Sequence, residues 1–92
     1  MHLNDHQKRL WQHMIDLIDD FLNEKNNDFV MLVGSLEGAL DAAGIANHAL
    51  IKNWYDFWAP LEMRCAIEGN QVNKEKATQE LCSMRNFLIH VQ

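Results

Sequence analysis

Arg85, Asn86 and His90 stand within a six-residue run, "RNFLIH", close to the end of the 92-residue sequence. Histidine titrates near neutrality, so His90 is a candidate general acid or base. Arg85 supplies a permanent charge in a planar fork that matches the oxygens of a phosphate or carboxylate. Asn86 and His90 are four apart and share a helical face, so the Asn86 amide can orient either the imidazole or a phosphate. The same residues also have a purely structural reading. Arg85 would then pair with Glu37, Asp41 or a neighbour of Glu80, and His90 would complete the negative end of a helix.

Glu37 and Asp41 form a second candidate set, four apart on one face of an otherwise apolar segment. A carboxylate there requires a partner or a raised pKa, and Arg64 and Arg85 are the expected partners. A salt bridge is favoured over a catalytic role. A third set, His6, Arg9, His13, Asp16 and Asp20, recurs at steps of three and four. It matches no recognised metal-ligand spacing and reads as a solvated face. Trp54, Tyr55, Phe57 and Trp58 crowd "WYDFW". Aromatics can stack bases, but Leu50, Trp54, Phe57 or Trp58 and Leu61 continue one helical stripe, which points to packing. Tyr55 and the remaining tryptophan are left for another surface, such as a subunit contact.

The elements that must position these residues are helices. Strand-like alternation is absent, and apolar residues recur at helical spacing in four segments, which predicts an all-α antiparallel four-helix bundle forming one domain over residues 1–92. The first helix is expected from Asn4, with Gln7 completing a capping box, to about Asn23. The second starts at Asn27 or Asp28 and ends at Gly44; it is apolar almost all round, so both of its sides should be covered. Gly34, Gly38 and Ala42 lie four apart along it. Asn47 caps the third helix, and Pro60 should kink or break it near residues 56 to 60. Asn73 caps the fourth, whose core stripe is Ala77, Leu81, Met84, Leu88 and Val91. Cys82 and Ile89 fall outside that stripe, giving this helix a second surface bordered by Arg85, Asn86 and His90. A helix from another subunit is its natural cover.

The totals exclude several classes. Apolar residues make up 48% and charged residues 23%, an ordinary globular composition without disorder bias. A net charge of −5 disfavours broad attraction to nucleic acid or an anionic membrane. No apolar run reaches membrane length, and the opening "MHLNDHQKRL" lacks the apolar stretch of a signal peptide. Cys65 and Cys82 have no metal-like spacing and read as reduced thiols, so the expected location is the cytoplasm.

The run Arg85 to His90 resembles the signature of the HEPN superfamily. These are small all-α domains in which an Arg, usually followed by a polar residue, precedes a His by four to six positions on the last main helix. The resemblance covers these six residues and the helical plan. It implies a homodimer in which two Arg and His sets face each other. It further implies a metal-independent endoribonuclease leaving 2′,3′-cyclic phosphate ends, with no cofactor and an RNA substrate. On that reading His90 is acid or base, Arg85 holds the phosphate and Asn86 orients. Many members are toxins or defence proteins, with an antitoxin as a possible partner, and others are inactive binding modules. The competing expectation is a non-catalytic helical interaction protein, dimeric through the Cys82 and Ile89 surface or through the aromatic third helix.

Overall fold

The computed structural model describes residues 3–92. Four α-helices follow in order, α1 Asp5–Leu22, α2 Phe29–Ala43, α3 His48–Glu68 and α4 Lys74–Val91, with one 3-10 turn, Gly69–Gln71, before α4. Among the described residues there is no strand. Each start carries its own signal. Asn4 accepts from Gln7 N at 2.8 Å while the Gln7 side chain accepts from Asn4 N at 3.1 Å, closing the expected capping box. Asp28, rather than Asn27, caps α2; Asn47 and Asn73 cap α3 and α4. Gly44 ends α2 at φ 61°, a left-handed conformation that glycine adopts without a Cβ clash.

Contacts across each seam fix the directions. His6 and Gln7 at the start of α1 bond the carbonyls of Ala42 and Ala43 at the end of α2. The Trp58 indole donates to Val33 O, and Asn70, just beyond α3, accepts from Val30 N, so α2 and α3 run oppositely. Phe57 meets Phe87, and Arg64 meets Glu80 nearer the start of α4. Lys74 with Glu24, Arg85 with Asp19 and Gln92 with Gln12 close α4 antiparallel to α1. The result is an up-down-up-down bundle in which each helix packs on the two beside it.

The core is the union of the inner stripes. Trp11, Met14, Ile18, Leu36, Trp54, Leu61, Leu81, Met84 and Leu88 are all fully buried. Trp54 reaches across the bundle from α3 to α1, where its Nε1 lies 3.4 Å from Met14 Sδ. The indole N–H of Trp11 is buried without a partner among the described residues.

Two expectations change. Of the kink or break expected near Pro60 in α3, the break does not occur: the helix runs unbroken to Glu68. Trp58 and Leu61, on either side of the proline, are held in the core, while Asp56 and Pro60 are exposed, so water can serve the carbonyl that loses its donor. Helix α2 is not covered on both sides. Phe29, Leu32, Val33, Leu36, Ala39, Leu40 and Ala43 are buried, but Val30 and Met31 are about half exposed, and Gly34, Gly38 and Ala42 are exposed beside them. A four-helix bundle gives each helix only two neighbours, so an apolar outer face on α2 stays open in a single chain.

Candidate functional site

Arg85, Asn86 and His90 sit on the last two turns of α4, positioned by the burial of Met84 and Leu88 between them. Successive residues on a helix diverge by about 100°, and this separates the three. Arg85 turns into the seam with α1. Its Nε lies 2.6 Å from Asp19 Oδ1 and its Nη2 lies 3.3 Å from Asp19 Oδ2, a bidentate pair that is half-buried at both ends. The hydrogen bond and charge of Asp19 raise the Arg85 pKa above its ordinary value, against a small opposing effect of burial. Asn86 and His90 instead face outward and are exposed.

His90 is oriented by the backbone. Its Nδ1 lies 3.0 Å from Asn86 O one turn earlier, so Nδ1 carries the proton and donates to that carbonyl. The imidazole sits in the last turn of α4, where a partial positive charge is favourable. The expected role of the Asn86 amide as an orienting group for the ring is therefore filled by the Asn86 carbonyl.

Neither Glu37 nor Asp41 meets the arginine expected for it. Glu37 Oε2 accepts from the Tyr55 hydroxyl at 2.9 Å. Arg64 bridges Glu80, through Nε, and Glu68, through Nη1 at 3.2 Å, tying α3 to α4. Arg64 and Arg85 are thus both engaged elsewhere than at Glu37 and Asp41, and Asp41 is exposed. The bond to Glu37 is the largest cause that raises the Tyr55 pKa above 10.0, with burial and the charges of Glu37, Asp41 and Glu62 adding to it.

Asp19 is the residue that sequence reasoning missed. It lies on the border of the α1 core stripe, one turn after Ile15 and next to Ile18, both buried. A carboxylate bordering a buried stripe is placed to meet a cation on the neighbouring helix, and that border was the available signal.

The other candidate sets are absorbed by the fold. His6 Nε2 lies 3.0 Å from Ala42 O and Gln12 donates to Asp16, so part of the α1 polar row serves helix ends and local pairs. Among the described residues no three His, Cys, Asp or Glu side chains converge as metal ligands. The aromatic cluster packs on itself and on α4: Trp54 and Trp58 stack at 5.7 Å, Tyr55 meets both edge-on, and Phe57 stacks on Phe87 at 4.9 Å. Tyr55 and Trp58 serve α2 through Glu37 and Val33, which accounts for them within one chain.

The grooves among the described residues include two that border α4. One, of about 600 Å³, lies where α1 ends beside the start of α4, between Phe21, Glu24, Lys74 and Thr78. The other, of about 420 Å³, runs along α3 beside α4 and includes Pro60, Met63, Ile67 and Glu80. Neither includes Arg85, Asn86 or His90. Among the described residues, no helix is long and apolar enough to cross a membrane. Compared with known proteins, the chain matches no family model, no curated protein and no solved structure.

Proposed function

We propose that this chain is a non-catalytic helical interaction module that self-associates through the outer face of α4, where Cys82, Asn86, Ile89 and His90 lie together. One observation carries the reading: Arg85 is held by Asp19 in the α1 seam, away from the outward face that bears His90. An Arg and His pair ready for a phosphate would present both groups to one space. Ile89, 41% exposed on the same face as Cys82 two turns earlier, gives that face an apolar side chain with nothing covering it in the single chain. Free Cys65 and Cys82 suit a reducing compartment, and we place the protein in the cytoplasm.

Sedimentation equilibrium tests the proposal. The wild-type chain is expected to dimerise and Ile89→Asp to be monomeric with unchanged helical circular dichroism. A wild-type chain that stays monomeric at high concentration overturns it.

The ribonuclease reading, with its RNA substrate and antitoxin partner, retains one favourable observation. His90 is exposed, and among the described residues only its Nδ1 has a hydrogen bond. For that chemistry Arg85 has to leave Asp19, and two copies have to bring their His90 side chains to one phosphate. RNA cleavage in EDTA that leaves 2′,3′-cyclic phosphate ends and is abolished by His90→Ala would put this reading in place of the first.

A further inference from the structure

Among the described residues, the most exposed large apolar side chains are on the outer side of α3, away from the HEPN-like residues. Met63 is 66% exposed and Ile67 is 77% exposed, one turn apart, and Ala59, Pro60 and Ala66 beside them are exposed as well. From Ala59 to Ile67 this stripe is about 12 Å long at the helical rise of ~1.5 Å per residue, enough for two turns of another helix. Its floor lies beside α4, to which Arg64 is tied through Glu80, so an ion pair fixes the two helices that border the groove. Two antiparallel helices with a groove between them are a natural seat for a third, ridge into groove.

The charge around the stripe selects its occupant. Asp56, Glu68 and Glu80 line it with one cation, Arg64; Glu62 is exposed on the Tyr55 side of α3, and Lys52 reaches the rim through Asp56. Both cations are already in ion pairs, Lys52 with Asp56 and Arg64 with Glu68 and Glu80. Asp56 is exposed and Glu80 has one oxygen outside its bond to Arg64. A second copy does not fit. A two-fold contact would set this acidic rim against itself. The other exposed large apolar side chains also lack adjacent cations. Val30 and Met31 belong to α2, which contains no Lys or Arg, and on the helix of Ile89 the arginine one turn earlier, Arg85, is already held by Asp19. An anionic membrane surface is repelled for the same reason.

We propose that the outer groove of α3 docks a cationic amphipathic helix of another protein, which seats an apolar stripe on Pro60, Met63 and Ile67 and sets Lys or Arg against Asp56, Glu68 and Glu80. The proposal rests on the interaction-module reading but uses a different face from the one assigned to self-association.

The test uses the Ile89→Asp chain beside wild type and a synthetic helical peptide of about eighteen residues, long enough to hold helical structure. The peptide has Leu at helical spacing on one side and Lys on its flanks. Controls are a scrambled peptide of the same composition and a peptide with Glu for Lys. Binding of the first peptide to both chains is expected, with amide chemical-shift changes confined to residues 56–68 and the facing turns of α4. It should weaken at least about tenfold with Met63→Glu/Ile67→Glu and weaken again in high salt. Equal binding of the scrambled or acidic peptide, shift changes centred elsewhere, or no binding overturns the proposal. So does a wild-type dimer that Met63→Glu/Ile67→Glu dissociates, because the groove would then belong to a second copy. Failure of self-association leaves this measurement standing, since it is made on the Ile89→Asp chain as well.

Discussion

The two sides of α3 use similar apolar side chains and differ in what covers them. On the inner side Leu50, Trp54, Trp58 and Leu61 are no more than 5% exposed; on the outer side Met63 and Ile67 keep most of their surface in water. Both sides satisfy a helical repeat, so periodicity alone does not say which is core. The inner side is distinguished by length and bulk, with four large residues over three turns, and by polar tips that find partners. Trp58 N–H reaches the Val33 carbonyl at 3.0 Å, and Tyr55 at the edge reaches Glu37. Nothing comparable ties down Met63 or Ile67. The inner face therefore carries the stability of the bundle, and the outer face is free to carry something else.

That contrast is open to direct attack. Trp54→Ala should cost the most, about 3–5 kcal/mol, since it empties a fully buried site that touches Met14 across the bundle. Urea denaturation measures it, and a cost below about 1 kcal/mol would mean that the inner side is not the core it is drawn as.

Tyr55→Phe should cost about 1 kcal/mol through the lost hydrogen bond to Glu37. It should also change the alkaline limb of the stability profile. The Tyr55 pKa is raised in the folded chain, so its contribution is fully present below pH 10.0 and falls as pH rises from there through the higher folded value. In that window the unfolded chain has already lost the proton that the folded chain retains. The phenylalanine variant should lack this part of the decline, and identical alkaline slopes would show that the bond to Glu37 does not form.

The smallest effect belongs to the outer side. Met63→Lys/Ile67→Lys should shift unfolding by no more than about 0.5 kcal/mol per residue, because neither side chain loses burial. A large loss of stability would move these residues into the core and remove the groove as a docking face.

Asp19 and Arg85 show why the candidate site was only half legible. The terminal motif could be read from residue types and spacing, but the helical angle put Arg85 on the border of the second surface with Asn86 and His90, and only the structure turns it into the α1 seam. The partner of Arg85 lies 66 positions away in the sequence, and several carboxylates competed for it. Glu37 and Asp41 were the closer reading because they stand out on an apolar helix, yet Tyr55 reaches Glu37 and α1 supplies Asp19. Spacing along a helix specifies a face; it does not specify which neighbour that face meets.

The sequence by itself determined the helices, because caps, glycine stops and apolar periodicity are local. Asn4 with Gln7, Asn47, Asn73 and Gly44 act within a turn or two of chain, and each does what its type requires. The inner stripe of α4 followed for the same reason, with Ala77, Leu81, Met84 and Leu88 buried and Val91, at the end of the helix, half-buried. Only the tertiary structure decided the pairings across seams and the faces left in water. Those depend on which helices become neighbours, and in a four-helix ring each helix has two. The outer sides of α2, α3 and α4 are exposed by that arithmetic of neighbours, whatever their composition, and that is why Val30, Met31, Met63, Ile67 and Ile89 stay in water.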